Sequence, residues 1–216
     1  MRFRDRRHAG QELAGRLRDL RDAGALPDPV VLALPRGGVT VAAEVARLLG
    51  APLDVLVVRK IGAPRHEEFG VGAITGDEPP LYDPVSLAGL HLTEEDLAPV
   101  VARERRELHR RERRYRRNSP APALRGRAVI VVDDGLATGA TARAALRRVR
   151  RAAPARVVLA VPVGAPQALA LLGGEADDVV CLHRPYDFAA VGQWYDDFAQ
   201  LTDEDVLDVL DAVREP

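Results

Sequence analysis

Thirteen residues, Val129–Thr141 (VIVVDDGLATGAT), constrain this chain more than any other stretch. Four β-branched residues, Val129 to Val132, read as a strand buried on both faces, the pattern of a parallel sheet. Asp133 and Asp134 stand at the carboxyl end of that strand. A loop of small residues, Gly135 to Thr141, then enters the arginine-rich helical stretch Ala142–Arg151. Open α/β sheets bind ligands just past the carboxyl ends of their strands. A small-residue loop opening a helix exposes backbone N–H groups suited to a phosphate. Amides for a phosphate beside carboxylates for hydroxyls suit a phosphorylated sugar. The competing interpretation is an ordinary strand-to-helix turn with Thr138 or Thr141 as N-cap. Such a turn has no need of two adjacent acids where unpaired charge is costly to bury.

The rest of the chain reads as strands alternating with helices, hence parallel βαβ units with right-handed crossovers. Phe3–Ala23 has helical spacing of Leu13, Leu17 and Leu20, and Gly24 and Pro27 end it. Val30–Leu34 is a short strand, Pro35-Arg36-Gly37-Gly38 a tight turn, and Val39–Leu49 a helix closed by Gly50. Asp54–Val58 is a second strand. Arg59–Pro80 is polar and rich in Gly and Pro, and is expected to be a long functional loop with some hairpin character. Thr93–Arg117 is a long charged helix, with Thr93 to Asp96 near a capping box. Asn118–Ala123 is a connector. Ala128–Val132, Arg156–Val161 and Asp178–Leu182 are further strands, and Thr202–Val213 is a last helix.

At 216 residues and 47% apolar composition, one α/β domain is expected over 1–216. A net charge of −1 gives no global field toward nucleic acid. The first residues lack the apolar core of a signal peptide, and no apolar run approaches the ~20 residues of a membrane span. The lone cysteine, Cys181, fits a reducing compartment and is expected in the core rather than reactive. A cytoplasmic, membrane-free protein is the expectation. Lys60 is the only lysine among 31 basic residues. A compact ammonium kept against such a bias suggests a site where a planar guanidinium does not serve, the alternative being a chance surface residue.

The strand, the acid pair and the Thr/Gly/Ala cluster together resemble the 5-phosphoribosyl 1-pyrophosphate (PRPP) signature of type I phosphoribosyltransferases. The best overall match is to small bacterial phosphoribosyltransferase-like proteins, and it covers nearly the whole chain. It implies an open, mainly parallel sheet flanked by helices, with a small hood from the terminal segments. The long charged helix 93–117 would be an insertion and 183–213 the C-terminal part of the hood. It further implies ribose contacts at Asp133 and Asp134, and a 5′-phosphate loop at Ala137, Thr138, Gly139, Ala140 and Thr141. Leu32 to Val39 resembles the pyrophosphate-binding turn of purine members, which points to Arg36, Gly37 and Gly38 and to a cis bond between Pro35 and Arg36. Arg59 to Glu68 is similar to the mobile catalytic loop of orotate-type members. There Arg59 and Lys60 would reach the pyrophosphate and Lys60 would join Asp133 and Asp134 in catalysis. Glu67 and Glu68 are read as a solvated loop tip.

Pro185 to Asp196 resembles the base-binding stretch of 6-oxopurine members. Phe188 would stack on the base, Val191 would line it, and Asp196 would be the acid near pyrophosphate and Mg2+. These aromatics suit a planar ligand, or else a small apolar patch under the last helix. Two departures keep the acceptor open. Ala137 stands where 6-oxopurine enzymes have an Asp, and the lysine those enzymes place just before the aromatic segment has no counterpart, Lys60 being this chain's only lysine. The resemblance implies transfer of the phosphoribosyl group of PRPP to a nitrogenous acceptor, purine-like in preference, by a Mg2+-dependent homodimer. The alternative is a regulator that senses PRPP or a nucleotide without turnover. Nine arginines between Arg103 and Arg117 suggest a nucleic-acid face or a solvated helix with pairs such as Glu107–Arg111. The solvated helix is the expectation, because aromatic interleaving is lacking.

Overall fold

The computed structural model describes residues 2–64, 66–117 and 119–214. Arg65, Asn118 and the side chains of Glu67 and Glu68, named above, lie outside the described residues. The main sheet contains β1 (Val30–Ala33), β2 (Leu53–Val55), β6 (Ala128–Val132), β7 (Arg156–Val163) and β8 (Asp178–His183), all parallel in the order β2-β1-β6-β7-β8. Alternate residues of β6 serve opposite faces. Ile130 and Val132 join one core with helices α1 (Arg6–Asp22), α2 (Gly37–Leu49), α4 (Glu94–Arg116) and α7 (Asp203–Arg214). Val129 and Val131 join the other with α5 (Ala140–Arg151) and α6 (Pro166–Leu172). Both faces are therefore dry, which is why the strands read as unbroken apolar runs.

The register brings three loops to one edge. Ala33 pairs with Val132, so β1 and β6 end level, and Val132 pairs with Ala160, beyond which β7 runs on to Val163. Leu34 N–H donates to the Val132 carbonyl at 2.9 Å, and Leu136 N–H to the Val163 carbonyl at 2.9 Å. The turns after β1 and β6 thus lie side by side, where an open α/β sheet binds its ligand.

Arg59–Pro80 departs from its expectation. Instead of a long loop it forms a second, antiparallel sheet of β3 (Val58–Ala63), β4 (His66–Thr75) and β5 (Leu81–Tyr82). Glycine hides the pattern: a Cβ on Gly72 would lie 2.6 Å from the Leu81 carbonyl, so the strands close only without one. The strand expected at Asp54–Val58 is split accordingly, its end passing into the second sheet. Helices α3 (Pro84–Leu90) and α6 were not anticipated; both are one to two turns long with Pro in the first turn. The first helix starts at Arg6 rather than Phe3, because Asp5 caps it by accepting from His8 N–H at 2.7 Å. Capping boxes at Thr93–Asp96 and Thr202–Asp205 open α4 and α7.

Several arginines of α4 and its C-cap are tied to the protein itself. Arg111 donates to Glu107 at 2.8 Å, Arg105 to the Gly76 carbonyl, Arg116 to buried Asp54 at 3.0 Å, and Arg117 pairs with Asp211 at 2.7 Å. Among the described residues no helix is long and apolar enough to cross a membrane.

Candidate functional site

The acid pair sits where the sequence put it, and its environment is unusual. Asp133 Oδ1 accepts the N–H of Asp134 at 2.9 Å. Asp134 Oδ2 accepts from Arg6 Nε at 2.8 Å, with the two side chains only 14% and 10% exposed. Tyr195 O–H donates to the Asp134 carbonyl at 2.5 Å. Burial, with the neighbouring Asp134 charge, pushes Asp133 well above the usual carboxylate range. Burial raises Asp134 too, but the hydrogen bond and charge of Arg6 oppose it. Two buried carboxyls this close disfavour each other's ionisation, and the Arg6 cation offsets this at Asp134.

The turn after β1 packs directly on this pair. A Cβ on Gly37 would lie 1.8 Å from Asp134 Oδ2, and one on Gly38 2.7 Å from the Val132 carbonyl. Only glycine admits that approach. The Pro35–Arg36 bond is cis, as the resemblance implies. The Arg36 guanidinium leans toward α7, 3.9 Å from Asp203. Asp203 also accepts from Tyr115 O–H at 2.6 Å and pairs with Arg110 at 3.4 Å. Burial works to raise its pKa, yet these bonds and the charges of Arg111 and Arg110 carry it below the usual range.

On the other side of the pair the loop Ala137–Thr141 opens α5. Gly139 occupies the cap position in the left-handed region at φ 79°, and no side chain caps the helix. The ordinary threonine-capped turn is therefore not what forms; the threonine contact here is a long one, Ala140 N–H to Thr138 Oγ1 at 3.5 Å. A cavity of about 560 Å³ lies between this loop and the second sheet, lined by Thr138, Gly139, Arg143, Tyr82 and Lys60 among others. Ligand-sized clefts fall in this range. Lys60 thus faces the cavity, but Arg59 does not accompany it. Successive strand residues point to opposite faces, and Arg59 donates from Nε to Glu104 of α4 at 2.9 Å. The expectation of a basic pair acting together is corrected by that alternation.

The stretch near residue 190 reaches the same edge. A short 3-10 turn, Val191–Trp194, seats Val191 on Gly135, where a Cβ would meet Val191 Cγ1 at 2.4 Å. Phe188 is half-buried between the second core and a small cluster of Phe3, Val163 and Tyr195. That cluster packs on residues 3–9 rather than under α7, whose Val206 and Leu210 belong to the first core. Asp196 is exposed, 3.5 Å from Arg2. Among the described residues no three His, Cys, Asp or Glu side chains group so as to hold a metal ion. Cys181 is half-buried, and burial raises its pKa, which suits an unreactive thiol. Two residues at the acid pair, Arg6 and Tyr195, went unseen in the sequence. The one available signal was that Tyr195 lies one residue from the acid matched at Asp196.

Comparison with known proteins agrees with this geometry. A family model described as a phosphoribosyl transferase domain matches residues 5–193. A curated protein of Mycobacterium tuberculosis H37Rv named "Putative phosphoribosyl transferase Rv0571c" is 46% identical over 209 residues, 97% of this chain. The chain spans about half, 46%, of that relative's length. The crystal structure of TT1426 from Thermus thermophilus is 50% identical, superposes with a TM-score of 0.81, and covers 97% of this chain and 98% of its own. With a parallel sheet of this order, an acid pair ending β6 and a match over most of its length, the chain belongs to the phosphoribosyl transferase domain family and has the type I fold.

Proposed function

We propose that the chain binds PRPP and transfers its 5-phosphoribosyl group to a nitrogenous acceptor, purine-like in preference, releasing pyrophosphate. One observation carries this reading: the acid pair ending β6 lies between the Gly37-Gly38 turn and the uncapped first turn of α5. Amides of Ala137–Thr141 would hold the 5′-phosphate. Asp133 and Asp134 would hold the ribose hydroxyls. Their negative charge would favour the oxocarbenium-like state as the C1–O bond to pyrophosphate breaks and a C1–N bond forms. Gly37, Gly38 and Arg36, with Lys60 from the second sheet, would meet the diphosphate. Phe188 and Val191 would face the base. Arg59, engaged with Glu104, is left out.

The donor set suits Mg2+ as a companion of the diphosphate, since Mg2+ is commonly held by one or two carboxylates plus substrate phosphates. Asp196 is the residue we assign to it, and the ion's contribution would be to offset diphosphate charge. A cytoplasmic homodimer remains our expectation. The second reading, a PRPP or nucleotide sensor without turnover, is favoured by Ala137, which puts no titratable side chain at that loop position. Incubation with PRPP, Mg2+ and a panel of nucleobases, followed for pyrophosphate, tests both. Release with one base supports the transferase; a blank across the panel with tight PRPP binding supports the sensor.

Lys60 gives a separate test. Lys60→Ala is expected to weaken PRPP by roughly tenfold, the worth of one charge-assisted contact. Ribose 5-phosphate, lacking the diphosphate, should keep its affinity. Lys60→Arg should recover only part of the loss. Calorimetry with both ligands decides: an equal loss for the two would place Lys60 on the 5′-phosphate instead.

A further inference from the structure

Asp134 is gripped from two sides. Gly37 meets Oδ2 on one, and Arg6 Nε donates to the same oxygen at 2.8 Å on the other. Arg6 is itself fixed by two further contacts. Its Nη1 donates to the Ala199 carbonyl at 2.9 Å, and its guanidinium carbon stands 3.8 Å over the Phe198 ring. Phe198 packs on Tyr195, ring centroids 4.9 Å apart, and Tyr195 O–H reaches the Asp134 carbonyl. Backbone bonds join the two segments that carry these groups. Phe3 N–H donates to the Trp194 carbonyl, Asp196 N–H to the Phe3 carbonyl, and Asp197 N–H to the Arg4 carbonyl, each at 2.8 Å. Residues 3–6 and 194–199 therefore act as one clamp whose charged end touches the acid pair.

A guanidinium so placed does more than balance charge. It holds Asp134 Oδ2 in place, against the backbone of Gly37. A lone buried carboxylate beside a second carboxyl would instead take up a proton and lose its strength as an acceptor. Among the described residues, the charged or titratable groups found packed on Asp134 are Asp133 from its own loop, Arg6 from α1 and Tyr195 from the clamp, and of these Arg6 alone supplies positive charge.

We propose that Arg6 is a positioning residue, acting through Asp134 to present an ionised, correctly turned carboxylate to the hydroxyls of a phosphorylated ribose. The clamp of residues 3–6 and 194–199 then makes sugar recognition depend on the docking of these two segments. This deepens the function proposed above and rests on it for the identity of the sugar.

The experiment has a ligand-free arm and a ligand arm. In protein labelled with 13C at aspartate side-chain carbons, Arg6→Gln is expected to move the ionisation of Asp134 upward by about one pH unit or more, the usual effect of losing a close opposite charge. Absence of a shift overturns the proposal whatever the protein binds. In calorimetry, Arg6→Gln should lower the affinity for ribose 5-phosphate tenfold or more and leave that for inorganic phosphate within twofold. Arg6→Lys should restore part of the loss. In an Asp134→Asn background, Arg6→Gln should add nothing, since the interaction is already gone. Equal losses for both ligands, or additive effects of the two substitutions, would assign Arg6 a merely structural role. Should the parent bind no ribose 5-phosphate, the proposed function falls, and the labelled arm still decides the part played by Arg6.

Discussion

Asp133→Asn is expected to make the protein more stable and nearly inactive. Burial and the Asp134 charge raise the Asp133 pKa in the folded state. A raised carboxyl contributes its full stability below the unfolded pKa of about 4, and that contribution is lost as pH rises toward the folded value. At neutral pH the parent therefore folds against the cost of burying a second carboxyl beside Asp134, and asparagine carries no such cost. Its amide oxygen can still accept the Asp134 N–H, and its NH2 can donate to Asp134. The gain should be on the order of 1 kcal/mol, about 2–4 °C in melting temperature for a chain of this size. It should be present at pH 7.5 and vanish near pH 4. Turnover should fall on the order of a hundredfold, because an amide replaces one of the two carboxyls that would hold the ribose hydroxyls as the C1–O bond breaks. Asp134→Asn should behave oppositely in stability, losing on the order of 3 kcal/mol, since it strands the buried Arg6 cation. Melts of both variants at the two pH values, beside pyrophosphate release, check this. An Asp133→Asn variant less stable than the parent at pH 7.5, or equally shifted at both pH values, would refute the raised Asp133 pKa.

How far the sequence could be read depends on which interactions leave a local trace. The β6 strand was legible because burial on both faces demands an unbroken apolar run, and the charges that interrupt it at Asp133 and Asp134 then stand out. The turn at Gly37-Gly38 was legible for a related reason: two adjacent glycines just after a strand mark a close approach, found here against the acid pair. The second sheet was not. Its glycines at 62, 70 and 72 permit strand contact but erase the alternation that reveals a strand. Arg59 and Lys60 look like partners because they are neighbours in sequence, and the same strand that was missed turns them to opposite sides. Arg6 left no trace, since its partner lies 128 residues away and its N-terminal neighbourhood reads as an ordinary amphipathic helix. The aromatics near Tyr195 suggested either a ligand or a patch. They do form a patch, but against residues 3–9, a contact that no local pattern encodes. Phe188 and Val191 remain half-exposed beside it.

Gly37→Ala should abolish most activity although local propensity argues for tolerance. Alanine is the better helix former, worth up to about 1 kcal/mol within a helix, and Gly37 opens α2 without a left-handed backbone. The added methyl, however, would lie 1.8 Å from Asp134 Oδ2 and 2.5 Å from its Cγ. Asp134 cannot swing away cheaply, because Arg6 holds that oxygen at 2.8 Å. Either the ion pair breaks or the first turn of α2 retreats, and both misplace the acid pair relative to the phosphate loop. Displacements of about 1 Å at a reacting centre can cost on the order of a hundredfold in rate. Overpacking should cost about 1–3 kcal/mol in stability as well. Gly38→Ala meets backbone, the Val132 carbonyl at 2.7 Å and Asp133 Cα at 2.9 Å, so there the stability loss should exceed that of Gly37→Ala. Gly15→Ala, in α1 with nothing within 4 Å of the new methyl, is the control and should stabilise slightly. Pyrophosphate release and thermal melts on the three variants separate these outcomes. A Gly37→Ala protein that melts like the parent and turns over within threefold of it would mean that Asp134 has room to move, and the grip of Gly37 and Arg6 on the acid pair would have to be abandoned.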